Sequence, residues 1–400
     1  MAMSGPLSGI RVLDLTAVYL GPYSTQVLGD MGADVIKIEP PSGDTTRAIG
    51  PKKHPGMAGV FLNVNRNKRS VALDLQQEEG REAFLELAKT ADVMVNNMRP
   101  QALKKLRLAY EDVKAVNPEI VYCSAYGYGK DGPYASRPAY DDMIQGASGL
   151  AALQGQFSKG DPSYFPTVIA DKTAGLTFLY AILLGLIHKL RTGKGQEVDV
   201  PMFETMAAYA MVEHLYGHAF EPPMGGTGYP RLLSSSRKPY KTKDGFIGIL
   251  PYTDRHWLKF FDVAGIAELK EDPRFCDLAA RTEHIDELYQ KLAEVAVTKT
   301  TDEWLTLLRK AEIPCTEINS IDDLMHDPHL EKVGFFAMMD HPTEGMVRYT
   351  NQPVQMSETP SAITKHAPCL GQNSIEVMKE VGVTDDQIQA LVQKGVLIQP

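Results

Sequence analysis

Cysteine is scarce in this 400-residue chain, and its four copies lie far apart. None of them forms a C-x-x-C pair, and none of the ten histidines belongs to an H-E-x-x-H pattern. These absences argue against a disulfide framework and against a metal site, so no metal ligand is predicted. Scattered thiols in a long chain are typical of a reducing compartment, and the expected location is cytoplasmic. The cysteines are Cys123, Cys276, Cys315 and Cys369.

An excess of basic residues is also missing. Lys and Arg number 41 against 50 Asp and Glu, which gives a formal net charge of −9. Nucleic acids and anionic membranes both bind to basic surfaces, so neither is expected as a partner. An anionic ligand must therefore be held by local groups of Lys and Arg.

No apolar run is long enough to predict a membrane span. The most apolar stretch, Ala174–Ile187, is shorter than the roughly 20 residues that a spanning helix needs. It is predicted to be a helix buried in the core. The first residues lack the charged start and apolar run of a signal peptide, so no secretory leader is expected.

The first half of the chain alternates between strand and helix patterns. Short runs rich in branched apolar residues predict strands, and helical patterns lie between several of them. This alternation predicts βαβ units and a mostly parallel sheet, an α/β fold of the Rossmann-like kind. The predicted strands are Ile10–Leu15, Ala33–Glu39, Ser70–Leu75, Asp92–Asn96 and Glu119–Cys123.

The G-x-G-x-x-G fingerprint of dinucleotide-binding proteins does not follow the first strand. Gly21-Pro22 stands in that region instead. A doubly wound sheet without the fingerprint still favours ligands at the carboxyl ends of its strands. The predicted binding loops are those after Leu15, Glu39, Leu75, Asn96 and Ser124.

The length of the chain predicts two domains. Residues 1–215 are expected to form the N-terminal part of a large domain, 216–332 a smaller α+β domain with its linkers, and 333–400 a segment returning to the large domain. The linker Glu221–Gly228 is rich in Pro and Gly. The predicted elements of the smaller domain are strands at Lys238–Tyr240 and Phe246–Leu250 and helices at Trp257–Val263, Asp286–Val297 and Thr301–Lys310.

Asp171 lies where an extended apolar stretch gives way to a long helical pattern. A carboxylate there has two possible roles. It can be an N-cap, accepting a backbone N–H of the first turn, and the residues alone favour this role. It can also be a nucleophile, because a carboxylate is ionised at neutral pH without a partner base. Such a weak base attacks only activated acyl groups such as thioesters, and nearby Gly146, Gly149 and Gly175 are possible sources of oxyanion-binding N–H groups.

Several short motifs occur in a definite order along the chain. They are Gly21-Pro22, Leu28–Glu39, Gly43-Asp44-x-x-Arg47, Asn65-x-Asn67-Lys68-Arg69-Ser70, Asn97-Met98-Arg99-Pro100, Gly127-Tyr128-Gly129-x-x-Gly132-Pro133-Tyr134, Arg137–Asp141, Arg191–Val200 and Pro368-x-Leu370-Gly371. Together they resemble the class III CoA-transferases, the family of formyl-CoA and carnitine CoA-transferases. The resemblance extends over nearly the whole chain.

The resemblance implies a catalytic role for Asp171. In the family, the matching aspartate attacks an acyl-CoA thioester to give a mixed anhydride, and the expelled CoA thiolate then converts it to an aspartyl-CoA thioester. An acceptor acid completes the exchange. The family also implies an interlocked homodimer, and CoA or acyl-CoA as a substrate, with no tightly bound cofactor.

By the same resemblance, further positions match residues that contact CoA. Tyr19 stands where some members have Gln, and Lys105 where many have a phosphate-binding Arg, which keeps the charge but loses the bidentate fork. The matching residues are Tyr19, Leu20, Leu73, Gln76, Asn97, Met98, Arg99, Lys105, Arg137, Tyr140 and Asp141.

Other interpretations stay open for several of these residues. The basic residues from Arg99 to Arg107 are equally typical of a solvated helix face, and Lys68 and Arg69 are expected at the surface. Tyr140 could be a packed aromatic. The glycine-rich lid of some members is not recognisable, because Ser234-Ser235-Ser236 stands at about its place.

Two other functions compete with CoA transfer. The α-methylacyl-CoA racemases share the superfamily but use a His followed by an Asp as a base, and Tyr140 fills that His position here. A phenol with a pKa near 10 is a poor base at neutral pH. A CoA-binding protein without activity is the third possibility, which the presence of Asp171 disfavours.

The acceptor acid is not fixed by the sequence. Oxalate, succinate, a carnitine-like zwitterion or an aromatic acid are all compatible with the motifs. Arg231, Arg237 and Lys238 hint at an acceptor that carries a carboxylate, although exposed basic loops are common.

Overall fold

A computed structural model describes residues 5–400, in which twelve strands and seventeen α-helices occur. The predictions that fall on residues 1–4, namely the start of the large domain and the lack of a leader, lie outside this range. The strands are β1 (Arg11–Leu15), β2 (Asp34–Glu39), β3 (Lys68–Leu73), β4 (Val93–Asn96), β5 (Val121–Tyr126), β6 (Gln196–Pro201), β7 (Tyr240–Lys241), β8 (Phe246–Ile249), β9 (Cys315–Glu317), β10 (Phe336–His341), β11 (Gly345–Thr350) and β12 (Leu397–Ile398).

The helices vary from single turns to a 24-residue element. They are α1 (Leu20–Asp30), α2 (Gly59–Val64), α3 (Glu78–Ala88), α4 (Pro100–Leu106), α5 (Tyr110–Lys114), α6 (Asp141–Ala147), α7 (Leu150–Ser158), α8 (Ile169–Thr192), α9 (Met202–His214), α10 (Pro230–Leu233), α11 (Asp254–Ala264), α12 (Leu278–Glu283), α13 (Ile285–Ala296), α14 (Thr301–Lys310), α15 (Pro328–Lys332), α16 (Ser374–Glu380) and α17 (Asp385–Gln393).

Two units divide the chain. The larger extends to Ser148 and also contains Phe165–Tyr209 and His329–Pro400, while the smaller contains Gly149–Tyr164 and Ala210–Pro328. Gly149–Tyr164, which lies inside the predicted range 1–215, groups with the smaller unit.

A seven-stranded sheet forms the centre of the larger unit. Its strand order is β12-β3-β2-β1-β4-β5-β6, and all neighbours are parallel except β12, which pairs antiparallel with β3. Leu13 of β1 pairs with Ile36 on one side and Met94 on the other, and all three are fully buried. Strands covered on both faces are typical of parallel sheets. The prediction of an α/β fold with a mostly parallel sheet is confirmed.

Strand β3 differs from its prediction in a way that matters for charge. It begins at Lys68, two residues before the predicted Ser70, and Lys68 pairs with Val35 of β2. Lys68 and Arg69 therefore lie in a covered strand and are buried, so the expectation that they are surface charges is wrong. Each is paired with acidic side chains, as a buried charge must be.

Helix α8 has one buried and one exposed apolar side. On the buried side, a Cβ at Gly185 would come 2.5 Å from Val121 of β5, so the glycine lets the helix lie close to the sheet. The predicted core helix is therefore buried on one side only. Its other side carries large apolar residues that are 50 to 73% exposed, namely Leu176, Tyr180, Leu184, Ile187 and Leu190.

The length of α8 also corrects the expectation about membrane spans. At 24 residues, α8 is the one helix within residues 5–400 long and apolar enough, by length and composition alone, to cross a membrane. The core helix of a soluble protein passes the same test. One side of α8 packs on β5 and β6, as the side of a core helix does.

The smaller unit has its own core and a three-stranded antiparallel sheet of order β7-β8-β9. Trp257, Phe260 and Trp304 are buried in that core. Helix α14 begins as predicted, because Thr300 accepts the N–H of Glu303 and Glu303 accepts the N–H of Thr300, a capping box. The three predicted helices occur here with ends shifted by at most three residues.

Candidate active site

Asp171 lies in the first turn of α8 and is not its N-cap. The helix begins at Ile169, and Val168 occupies the N-cap position without a side-chain cap. Within residues 5–400 the Asp171 carboxylate makes no hydrogen bond to another side chain or backbone group. The N-cap role that the residues alone favoured is therefore wrong, and the carboxylate is available for other chemistry.

Helix α6 holds the start of α8 in place. The backbone N–H of Asp171 donates to Oδ1 of Asp141 at 2.9 Å, and Gln145 donates to Oδ2 of Asp141 at 2.6 Å. Gln145 in turn accepts the N–H of Phe165 at 2.9 Å, just before α8. Because Asp141 and Gln145 are one turn apart on α6, they face α8 together. Asp141 is buried and acts on the backbone of Asp171.

Burial, and secondarily the charge of Asp141, raises the pKa of Asp171 to about 7. The carboxylate is then about half ionised at neutral pH, far less than an unperturbed aspartate. Its ionised form is correspondingly more basic, and a more basic carboxylate is a stronger nucleophile. A raised pKa at a partly buried carboxylate is typical of a functional site.

Helix α1 brings two of the predicted residues next to α8. A Cβ at Gly175 would come 2.8 Å from the carbonyl oxygen of Leu20, so the glycine allows the two helices to pack closely. Ser24 also donates to the carbonyl of Gly175 at 2.6 Å. Burial and then the charge of Asp171 raise the pKa of Tyr19, which places Tyr19 in the electrostatic reach of Asp171. Gly175 thus serves helix packing one turn after Asp171, inside α8, and is not a free oxyanion-binding N–H.

A cleft of about 390 Å³ lies at the carboxyl ends of β1, β2, β3 and β4. This is the edge at which the sequence predicted ligand binding. Four of the residues predicted to contact CoA line it, Leu73, Gln76, Asn97 and Met98. The side chain of Asn97 exchanges two hydrogen bonds with the backbone of Ala17, at 3.0 and 2.8 Å. Ala17 also lines the cleft and is two residues before Tyr19, so the segment Thr16–Tyr19 leads from the cleft towards Asp171.

The remaining predicted residues do not line the cleft. Lys105 of α4 lines a smaller depression of about 240 Å³ that shares Leu75, Gln76 and Leu106 with the cleft and also contains Arg81 and Arg107. Arg99 is exposed at the position before α4.

Arg137 and Tyr140 lie on the surface. The guanidinium of Arg137 lies over the ring of Tyr134 at 3.8 Å, and Tyr140 is 72% exposed as the residue before α6. The structure thus groups Tyr19, Leu20, Asp141 and Asp171, and separately Leu73, Gln76, Asn97 and Met98. The CoA contacts themselves stay predictions.

Two charged cleft residues were not singled out from the sequence. Lys37 and Asp44 are buried, and Nζ of Lys37 donates to Oδ2 of Asp44 at 2.9 Å. Burial alone would raise the pKa of Asp44, but Lys37 and the hydrogen bonds from Thr46 hold it below its usual value. Both residues belong to motifs that carried the resemblance, and their positions at the end of β2 were the signal that could have identified them.

Comparisons with known proteins identify the family of the chain. A family model described as CoA-transferase family III matches residues 7–374. Human succinyl-CoA:glutarate CoA-transferase is 33% identical over 399 residues, which cover 98% of this chain and 90% of that protein. Formyl-CoA:oxalate CoA-transferase of Bradyrhizobium sp. strain ORS 278 is 31% identical over 427 residues, which cover 100% of this chain and 99% of that protein.

A solved structure shows the same fold. The crystal structure of a CaiB/BaiF family protein from Brucella suis is similar with a TM-score of 0.79 and 33% identity, over 94% of this chain and 100% of that one. The family predicted from the ordered motifs is confirmed. The chain belongs to CoA-transferase family III and is a CoA-transferase.

Proposed function

We propose that Asp171 carries first the acyl group and then CoA during the transfer. The observation that supports this most strongly is the state of its carboxylate, which is partly buried, free of hydrogen bonds within residues 5–400, and raised in pKa to about 7. A carboxylate kept for structure would be expected to accept hydrogen bonds, as Asp14 and Asp44 do.

The transfer proceeds in four steps that balance. A carboxylate oxygen of Asp171 attacks the thioester carbon of the donor, the C–S bond breaks, and CoA leaves as the thiolate. The thiolate attacks the Asp171 carbonyl of the mixed anhydride, which releases the donor acid and leaves an aspartyl-CoA thioester. The acceptor carboxylate attacks this thioester and expels the thiolate. The thiolate finally attacks the acceptor carbonyl, which gives the new acyl-CoA and regenerates Asp171.

We propose that the cleft at the strand ends binds the nucleotide end of CoA. The strand order β3-β2-β1-β4-β5-β6 supports a Rossmann-like description, in which ligands bind where the order reverses, between β1 and β4. Asn97 and Met98 follow β4 at that point. Lys105 and Arg107 border the cleft and would balance phosphate charge.

The acceptor is proposed to be a small dicarboxylic acid. The names of two relatives specify glutarate and oxalate, which are both dicarboxylates. The measurement is a panel of free acids with succinyl-CoA as donor, in which new thioesters are identified by mass. Glutarate or oxalate should react at least tenfold faster than butyrate, a monocarboxylate control. Equal rates would contradict the dicarboxylate preference without affecting the role of Asp171.

A homodimer is proposed from the exposed side of α8. The residues Leu176, Tyr180, Leu184, Ile187 and Leu190 follow the spacing of one helix face. Contiguous exposed apolar surface of this kind marks an interface, and the family resemblance suggests a second, interlocked copy. Light scattering after gel filtration should give twice the 44.1 kDa chain mass at micromolar concentration. A monomer at that concentration would contradict the dimer.

Chemical trapping tests the role of Asp171 directly. Incubation with succinyl-CoA and hydroxylamine should convert the Asp171 carboxylate to a hydroxamate, which mass spectrometry detects in the peptide that contains it. The adjacent pair Asp141 and Asp142 provides an internal control, since neither should react. Modification of another carboxylate, with Asp171 untouched, would overturn the assignment.

A further inference from the structure

The segment Thr16–Val18 is held by side chains on several sides. The N–H of Thr16 donates to Asp14 at 2.9 Å, and its carbonyl accepts from Lys37 at 2.8 Å. Both backbone groups of Ala17 are held by Asn97, and the N–H of Val18 donates to Oδ1 of Asp44 at 3.4 Å. Side chains thus bind five backbone groups of three consecutive residues.

Val18 is in a conformation that its side chain disfavours. Its φ angle is +71°, in the left-handed region. A β-branched residue in that region is strained, because its side chain crowds the backbone. Such strain persists only where the surroundings fix the conformation, and it concentrates at functional sites. Tyr19 and Leu20, beside Asp171, follow immediately along the chain.

Lys37 is the residue that connects the two ends of this segment. It is fully buried, and its Nζ lies between the carbonyl of Thr16 and Oδ2 of Asp44. Asp44 then binds the N–H of Val18. Without Lys37, the Thr16 carbonyl would lose its donor, Asp44 would lose its counter-ion, and Val18 would be free to relax to negative φ. That relaxation would move Tyr19 relative to Asp171.

We propose that Lys37, acting through Asp44, is a positioning residue for CoA transfer that holds Thr16–Val18 in its strained conformation and so keeps Tyr19 and Leu20 beside Asp171. This inference rests on the proposed role of Asp171. It assigns Lys37 no contact with substrate.

The experiment is a double-mutant cycle between Lys37→Met and Val18→Gly. We call Lys37 and Asp44, which hold Thr16–Val18, the clamp. Glycine adopts a φ near +70° at no steric cost, so the clamp is needed less when residue 18 is glycine. We expect Lys37→Met alone to lower kcat about 30-fold, with KM for the acyl-CoA donor changed by less than threefold. In the Val18→Gly background, the fold loss in kcat that Lys37→Met causes should be at least five times smaller. Equal losses in both backgrounds would show that Lys37 serves folding only and would overturn the proposal.

A control and a second variant cover loss of folding. Arg69→Met removes a buried charge whose partners Asp34 and Glu380 are far from this segment in the sheet, and its effect on kcat should be small and independent of residue 18. If Lys37→Met does not fold, Lys37→Met with Asp44→Asn leaves no lone buried charge and should show the same dependence on Val18→Gly.

Hydrogen exchange separates this proposal from the role of Asp171. Amide exchange in the peptide covering residues 16–21 should rise at least tenfold in Lys37→Met, or in the double substitution, and not in Arg69→Met. Unchanged amide exchange would contradict the proposed role of Lys37 whether or not Asp171 is catalytic. If Asp171→Ala instead kept full turnover, the proposed function would fail while faster exchange still supported the clamp.

Discussion

Two groups of ion pairs, one at each edge of the large sheet, differ in burial. At the amino edge, Arg11, Asp34, Arg69 and Glu380 form one group, with side chains 8 to 33% exposed. These side chains bind mainly one another, and water reaches most of them. Pairs of this kind contribute modestly to stability.

At the carboxyl edge, the side chains of Asp14, Lys37 and Asp44 are at most 1% exposed. Each also binds the backbone of Thr16 or Val18. Charges buried this deeply lose more hydration than a simple pairing recovers. Between these two groups, the more deeply buried one fixes the loop leading to Asp171, while water still reaches most side chains of the other.

The largest expected effect is the loss of turnover on substitution of Asp171, beyond the carboxyl edge of the sheet. Asp171→Ala should lower CoA transfer by about 10⁴-fold or more, because no other group takes the acyl. The matched control Asp142→Ala, an exposed aspartate beside Asp141, should retain turnover. The measurement is kcat for succinyl-CoA with circular dichroism to verify folding. Substantial turnover by a folded Asp171→Ala protein would remove the catalytic distinction between the two edges.

Arg69→Met tests the amino edge. It leaves Asp34 and Glu380 without one cation, so the free energy of unfolding should fall by about 1–3 kcal/mol. At temperatures where the protein stays folded, kcat should change less than twofold. Urea unfolding and steady-state kinetics on the same preparation measure both, and a kcat loss above tenfold would show that this edge also serves catalysis.

Asn97→Ala tests an uncharged side chain that also holds the segment Thr16–Val18 at the carboxyl edge. Loss of its two hydrogen bonds to Ala17 should lower kcat/KM about tenfold, which corresponds to about 1.4 kcal/mol. Asn117→Ala is the matched control, since Asn117 also donates to backbone carbonyls but at the end of α3, away from the cleft. Equal losses in the two variants would argue against a special role for the Ala17 loop.

The pH dependence of kcat/KM should reflect the raised pKa of Asp171. Only the ionised carboxylate attacks, so kcat/KM should rise through about pH 7 and level off above it. Asp141→Asn removes the like charge and should move the half-rise to lower pH. A profile that is flat from pH 5 to 8 would contradict an Asp171 with this pKa.

The smallest expected effect is on stability. The folded-state pKa of Asp171, about 7, lies above the value of 3.8 expected when it is unfolded, so the folded state binds the extra proton and stability declines as pH rises from about 4 to 7. Asp171→Asn removes that decline. Its melting temperature should exceed that of the unchanged protein by a few degrees at pH 8 and by less at pH 5, which calorimetry can measure. A larger difference in melting temperature at pH 5 than at pH 8 would contradict a raised pKa of Asp171 in the folded state.

Much of the fold was predictable because local patterns determine it. The buried parallel strands are short apolar runs, and the predicted bounds of α14 match the structure, in which Thr300 and Glu303 form a capping box at its start. The start of β3 was missed because Lys68 and Arg69 look like surface residues. Only their distant partners, Asp14 and Glu380, allow them to be buried, and sequence periodicity does not reveal such pairs.

The site was predictable in part for similar reasons. Asp171 was identified through the ordered motifs on either side of it, but its neighbours in the sequence favoured a cap, and only the position of Val168 shows otherwise. Burial, and secondarily the charge of Asp141 thirty residues earlier in the chain, raises its pKa, and neither is visible in the local sequence. The roles of Lys37 and Asp44 depend on a backbone conformation at Val18 that no residue pattern predicts, because valine rarely adopts it.

The pairing of β12 with β3 has a consequence for the order in which the molecule is made. Leu73 and Leu397 are register partners although 324 residues separate them. A ribosome adds about 5–20 residues per second, so β3 waits on the order of 15 to 65 seconds for its last neighbour. Throughout that interval, one of the strands that border the cleft has an open edge, to which a second nascent chain can pair.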